Sequence, residues 1–444
     1  MIADPLILSV VLIGIMFFFL LSSIWIGSAL MLTGLAGMFL FEHNLPPTIS
    51  LFQKAGDLLA GSLYDSLNSW SLAALPMFIL MGEILYRSSI SNKLLNGLMP
   101  WLSKVPGRLL HVNVAACSLF AAVSGSSAAT TATVGKITLG ELKARGYSKK
   151  LALGSLAGSG TLGFLIPPSL IMIIYGVLSD VSIGKLFIAG VFPGLLLATS
   201  YSVYIMIVSY FDKTTVPAQE EVFTLKEKLL SIKDLLPIFS LIGLVLGSIY
   251  GGFATPTEAA ALGVLGSIVL AIYFKSFNLE IFQEALFNSV KTTVMISFII
   301  AGAGFLSQVV GFLGIARAIS EFIGGLGLSP YVLIFVIGLM YIVLGMILDG
   351  ISIVVMTLPI VLPIITMAGF DALWFGIFLV FMVELSQITP PVGFSLFVIQ
   401  SISGEKISYI LKATFPFFII MIFIVMIVTI FPEVATYLPA KMVE

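Results

Sequence analysis

Four acidic residues sit inside long apolar stretches of the chain: Glu83, Glu258, Asp349 and Glu384. A charge at the centre of a bilayer costs roughly 2.5–3.5 kcal/mol on insertion scales, so a functional role is the first explanation for each. Small, hydroxyl-bearing or proline residues interrupt the apolar pattern at four places. They are Ser124-Gly125-Ser126-Ser127, Gly160-Thr161-Leu162-Gly163 running into Pro167-Pro168, Asp349-Gly350-Ile351-Ser352, and Ser386-Gln387-Ile388-Thr389-Pro390-Pro391. A helix that breaks in an apolar solvent frees carbonyls and amides, which must line a cavity or bind something. Hydroxyls and freed carbonyls are hard oxygen ligands suited to a small alkali cation, and Asp349 adds negative charge. Helix N-termini starting at the breaks present partial positive charge to an anionic group. The first half therefore offers Ser124, Gly125, Ser126, Ser127, Thr161, Gly163 and Pro167 as binding residues. The second half offers Asp349, Gly350, Ser352, Thr389 and Pro390. A cation fits best at Ser124, Ser126, Ser127, Asp349 and Thr389. The plainer alternative is that small residues and prolines merely permit close packing and kinks. Four breaks recurring in register argue against it.

The remaining titratable groups are less informative. Glu384 lies about one turn before a break and reads as supporting the site. Glu258 follows Thr255-Pro256-Thr257, so its plainer role is to charge a helix N-terminus, and Glu83 has no evident partner. His43 falls at an expected membrane interface, and His111 near the mouth of a hairpin. Cys117 stands alone, which excludes an internal disulfide or a thiolate cluster.

The elements that must hold these residues are apolar helices. The 444 residues are 59% hydrophobic and only 10% charged, against about 25% charged for a soluble domain. Runs such as 6–24, 236–250 and 415–431 are long enough to cross a ~30 Å hydrocarbon core. No basic patch suggests nucleic acid. The first run follows Asp4 rather than a basic segment, so a cleaved signal peptide is not expected.

The sequence also repeats itself. Pro167-Pro168 returns as Pro390-Pro391, a shift of 223 that also relates Gly146-Tyr147-Ser148 to Gly369-Phe370-Asp371 and Phe192-Pro193 to Phe415-Pro416. The same shift sets Ser126 opposite Asp349. Upstream the match is looser, with Gly34-Leu35-Ala36-Gly37 answering to Gly263-Val264-Leu265-Gly266. The fold expected is an all-α polytopic membrane protein built from two repeats. Each has five spanning helices, an interfacial arm helix with a one-sided apolar pattern, and a re-entrant hairpin. The first repeat covers 1–217, with scaffold helices and arm at 1–100, hairpin and broken helix at 107–180, and a last helix at 184–211. A cytoplasmic linker, 218–234, leads to the second repeat at 235–444. Its scaffold and arm span 235–312 (arm 276–290, then a spanning helix 292–312), its hairpin and broken helix 330–402, and its last helix 407–431.

Five crossings per repeat is an odd number, so the second repeat must be inverted. Of the 21 Lys and Arg, all but Lys54, Lys185, Arg317 and Lys441 then fall on or near one side. The positive-inside rule makes that side the cytoplasm and leaves both termini periplasmic. Inverted repeats with discontinuous helices mark secondary transporters, with sites near the midplane at the repeat interface. An intramembrane protease is the contrasting reading. It would pair Ser126 or Ser127 with His111, or give Asp349 a carboxyl partner, within hydrogen-bond reach. No second motif accompanies either, and the duplication would go unexplained, so no enzyme is expected.

Ala254-Thr255-Pro256-Thr257-Glu258-Ala259-Ala260, Ser124-Gly125-Ser126-Ser127-Ala128-Ala129, Leu165-Ile166-Pro167-Pro168-Ser169 and Thr389-Pro390-Pro391-Val392-Gly393 together resemble the large membrane subunit of TRAP (tripartite ATP-independent periplasmic) transporters, the dicarboxylate-permease large-subunit family. The resemblance covers almost the whole chain. It implies an elevator mechanism in the bacterial inner membrane, sodium as the coupling ion with no other cofactor, a small four-helix membrane subunit, and a periplasmic substrate-binding protein. It also implies an organic-acid substrate, such as a dicarboxylate or a sugar acid like sialic acid. It brings Gly393 and Ser395 into the site. The family's usual Leu-Asn after this glycine is Phe394-Ser395 here, which shortens a polar side chain. Two symmetry-related sites suit two or more cations per cycle. A stand-alone sodium–carboxylate symporter or exporter is the alternative, separated by whether transport needs a binding protein. For the topology, cysteines introduced at Pro5 and Lys441 should label from the periplasm and one at Lys228 only from the cytoplasm. Termini of opposite sidedness would remove the inverted repeat.

Overall fold

The structure, a computed structural model, describes residues 5–40, 50–217, 223–325, 329–346, 348–390 and 393–441. His43, Pro391, Val392 and part of the linker lie outside them. Every regular element among the described residues is helical. The first half comprises α1 (Pro5–Leu21), α2 (Ile26–Leu40), α3 (Leu51–Leu67), α4 (Ala74–Arg87), α5 (Ile90–Leu102), α6 (Leu110–Ser124), α7 (Ser127–Ala144), α8 (Lys149–Gly160), α9 (Leu170–Ser179) and α10 (Ile183–Phe211). The second comprises α11 (Leu225–Tyr250), α12 (Pro256–Tyr273), α13 (Leu279–Phe312), α14 (Ile315–Gly325), α15 (Pro330–Gly345), α16 (Gly350–Met367), α17 (Ala372–Gln387), α18 (Phe394–Ser403), α19 (Ile407–Ile430) and α20 (Glu433–Ala440). Six of them (α10, α11, α12, α13, α16 and α19) are long and apolar enough to cross a membrane.

Local chemistry sets the starts of these helices. Side chains of Ser50, Ser148, Ser169, Ser182, Ser329 and Asp371 each accept an amide of the first turn, satisfying donors that lipid cannot. Thr224 with Glu227 and Thr255 with Glu258 form reciprocal capping boxes.

The arm helices differ between the halves. In the first, α3 ends at Asn68, and a 3-10 turn (Trp70–Ala73) leads into α4 across a 53° bend. In the second, the expected break near 291 is absent and arm and span form one 34-residue helix, α13. The stretch Ser289-Val290-Lys291-Thr292 holds no glycine or proline, so nothing interrupts the backbone hydrogen bonding. Two further helices, α5 and α14, fall in segments expected to be connections. α5 is held against α11, where Trp101 Nε1 donates to Ser231 Oγ (3.1 Å) and Lys93 pairs with Asp234 (3.2 Å).

Packing sorts the helices into two groups. α2 lies along α13, α4 along α12 and α13, and α5 along α11. The hairpin pairs α6–α7 and α15–α16 pack instead with α8, α9, α10, α17, α18 and α19. α4 against α6 and α9, α5 against α6 and α7, and α13 and α14 against α16 join the groups. At the first of these joints, a Cβ on Gly82 of α4 would come within 3.2 Å of Ser124 Cα, so glycine permits the approach.

Candidate functional site

Each hairpin reverses at a tip built from the residues singled out in the sequence. At the first, α6 ends at Ser124 and Gly125 turns the chain with φ +60°, the left-handed region that glycine adopts freely. Ser126 then caps α7, accepting from Ala129 N. Ser124 Oγ exchanges a hydrogen bond with Thr130 Oγ1 (2.8 Å). The tip is laid directly on the first broken helix. Leu170 N donates to Gly125 O (3.2 Å), and a Cβ on Gly125 would meet Pro168 O at 2.8 Å. A Cβ on Gly163 would overlap the Ser127 backbone, with Ser127 N at 2.5 Å. Thr161 Oγ1 donates back to Gly158 O (2.6 Å), and Thr161, Gly163 and Pro167 are all buried.

At the second tip, Asp349 caps α16. Its carboxylate accepts from Ile351 N (3.2 Å), Ser352 N (3.3 Å) and the Ser352 hydroxyl. Asp349 itself is exposed while Gly350 and Ser352 are buried. A carboxylate at a helix N-terminus meets partial positive charge there, which makes it tolerable at the tip. Gly350 packs on α17, where a Cβ would come within 2.5 Å of Val383 and 3.3 Å of Gln387. Past the break, Thr389 Oγ1 donates to Leu385 O (2.6 Å). Gly393 has φ +41° with Thr389 O close behind it, and Ser395 is wholly buried, its hydroxyl without a partner among the described residues. Pro390 is exposed.

At the first tip, a buried hydrogen-bonded connection crosses to the second half. Ser127 Oγ of the first tip donates to Glu384 Oε1 of α17, and Phe164 N, just past the first break, donates to the same oxygen (2.8 Å). The first tip thus meets α17 at Glu384 and the second at Val383 and Gln387, within one helical turn. The structure therefore groups Ser127, Gly163 and Glu384 and sets Gly350 beside them. Glu258 is elsewhere, exposed in its capping box. Glu83 pairs with Arg87, which also binds Glu284 (2.7 Å). That i, i+4 pairing was readable in the sequence and the sequence reading passed over it. His111 holds the Pro106 carbonyl (2.7 Å) at the far end of α6. Asn113, also passed over, is fully buried and donates to Ala152 O and Ser155 Oγ, fastening α6 to α8. A lone asparagine in an apolar helix was its only signal.

Paired hairpins whose tips close on broken helices, in a largely apolar chain whose regular elements among the described residues are all helical, are the architecture of a polytopic membrane protein. The match to known proteins makes this specific: residues 13–434 fit the family model of the tripartite ATP-independent periplasmic transporter, DctM component, and the chain belongs to that family. It is 36% identical to the C4-dicarboxylate TRAP transporter large permease protein DctM of Pseudomonas aeruginosa, covering 86% of this chain and 89% of that one. It is 32% identical to the ectoine TRAP transporter large permease protein TeaC of Halomonas elongata, covering 90% and 92%. The fold is similar to the YdaH transporter of Alcanivorax borkumensis, with a TM-score of 0.62 over 96% of this chain and 97% of that one at 11% identity. Such relatives are transporter permease subunits rather than enzymes.

The Gly163 contact yields a prediction that does not depend on the ion. Gly163→Ala should push the first tip off its broken helix and abolish uptake by the complete transporter, while Gly140→Ala, where a Cβ meets nothing within 4 Å, should leave uptake unchanged. Uptake in proteoliposomes at matched expression checks both.

Proposed function

We propose that this chain is the translocating permease of a sodium-coupled importer that receives an organic acid from a periplasmic binding protein. The observation that carries the reading is the convergence of both hairpin tips on the breaks of discontinuous helices. There, hydroxyls, a carboxylate and freed backbone groups gather inside an otherwise apolar body. Lipid satisfies none of these groups, whereas a small cation and an anionic substrate satisfy both signs at once. Sodium would bind at two related places. One is at Ser124, Ser126 and Ser127, and the other is at Asp349 with Thr389. The substrate's carboxylate would meet the helix N-termini starting at Ser127 and Gly350.

Energy would come from the gradient. Each cation entering across ~100 mV releases about 2.3 kcal/mol before any concentration term, and the sequence has no phosphate-binding loop of the ATPase type. The two halves would be inverted repeats. The helix group α6–α10 with α15–α19 would carry the site past the group α1–α5 with α11–α14 as an elevator. The glycine at the Gly82–Ser124 contact, where the two groups approach closely, supports this. Permeases of this family work with a substrate-binding protein and a small membrane subunit, and this chain would do the same. The relatives named above carry different substrates in their names, so a dicarboxylate or a sugar acid such as sialic acid remains the chemical class proposed.

Two experiments test the reading. Asp349→Asn preserves shape and removes charge. It should raise the sodium concentration for half-maximal uptake by roughly tenfold, the scale of a one-step 1.4 kcal/mol loss, with unchanged expression. A sodium titration of uptake that does not move makes the carboxylate structural. The purified chain alone, given substrate and a sodium gradient, should show no uptake. Robust uptake would favour the stand-alone symporter.

A further inference from the structure

The carboxyl of Glu384 has no exposed surface, lies on α17, and is engaged on one oxygen only. Oε1 receives both the Ser127 hydroxyl and the Phe164 amide, whereas Oε2 is buried without a partner among the described residues. Two more buried oxygens at the same break have no partner among the described residues. Ser159 Oγ lies in the last turn of α8, and Thr131 Oγ1 is in contact range of Gly160. Buried polar groups in native proteins are satisfied almost without exception. Three unsatisfied oxygens around one break point to a ligand that accepts oxygen lone pairs, and a cation is such a ligand.

The distribution of charge between the halves shows what Glu384 adds. The second tip carries its own carboxylate, Asp349. Its counterpart at the 223-residue shift is Ser126, so the first tip has none. Glu384, in turn, stands opposite Thr161, which donates its proton to Gly158 O. Each tip thus has one carboxyl, the second from its own half and the first from the other half.

We propose that Glu384 is the charge partner and positioning residue of a cation site at the first hairpin tip, supplied across the repeat boundary. The inference rests on the sodium reading above. One carboxylate oxygen pins Ser127 and Phe164 so that tip and break close together. The other faces the cation, and the cation's charge makes a buried carboxylate sustainable. The two sites are then electrically alike although their sequences are not, and the two halves cannot bind their cations independently of each other's backbone position.

The test is the binding of radioactive sodium, measured without transport, to the permease purified with its small membrane subunit. The readouts are stoichiometry and half-saturation, with choline balancing ionic strength. Glu384→Gln should remove at least one sodium per chain, or shift its half-saturation at least tenfold. The site lost to Asp349→Asn should remain, and the double variant should lose both. Unchanged sodium stoichiometry and half-saturation in Glu384→Gln would reduce the carboxyl to a structural bolt and overturn the proposal. Ser127→Ala keeps the carboxylate and removes its anchor. It should weaken the same sodium without lowering the stoichiometry, and it decides the question if Glu384→Gln fails to fold, an unmoved isotherm counting against the proposal. Absence of saturable sodium binding in the unaltered complex defeats the sodium reading itself. That result is visible in the control before any variant is measured.

Discussion

A helix that stops inside a bilayer leaves backbone donors and acceptors with no water to meet them, and this requirement governs the structure from the tips outward. Side chains and backbone of the opposing elements meet it here. Gly125 O takes the Leu170 amide, Ser126 and Asp349 cap the returning arms, and Glu384 takes the Phe164 amide with the Ser127 hydroxyl. Once those partners are set, the tips have little freedom. Both end on one turn of α17, so a displacement of either is felt by the same helix.

Close approach is the second constraint, and glycine is how the chain meets it. Gly163 lies against the Ser127 backbone, Gly350 against Val383, and Gly154 of α8 against Ala413 of α19. A Cβ at the first two places would hold the broken helices away from the hairpins, and one at Gly154 would hold α8 away from α19. The caps and hydroxyls described above would then lose their partners. Polar satisfaction and small-residue packing are therefore one requirement in two forms, since membrane helices approach closely only where side chains are small.

Membership of the tripartite transporter family explains why such an arrangement is worth its local instability. In the proposed cycle, a permease fed by a binding protein keeps its path shut until the substrate and the proposed coupling ions are in place. A site assembled from two hairpins and two breaks is complete only when all four close. The proposed sodium ions fit this logic because they bind where backbone groups are exposed rather than on a preformed cage of carboxylates. The exposure of Asp349 and the burial of Glu384 give the two tips different access to water.

Much of this was legible in the sequence because it depends on local chemistry. Apolar run length marked α11 and α19 among the spans, Thr255-Pro256-Thr257-Glu258 spelled out a helix start, and Ser124-Gly125-Ser126-Ser127 and Asp349-Gly350 marked the reversals. Each of these is set by residues within a few positions of one another. The expected separation of arm and span at 291 does not occur, because 289–292 contain no glycine or proline, whereas the first half breaks at Asn68-Ser69. The partnership of Glu384 with Ser127 lies 257 residues apart and follows no periodicity. It arises from how α17 crosses the first hairpin, and only packing decides that. Sequence alone determined where the backbone must break. Tertiary structure decided which oxygen answers each break, because in lipid the nearest partner in space, not in the chain, satisfies a freed group.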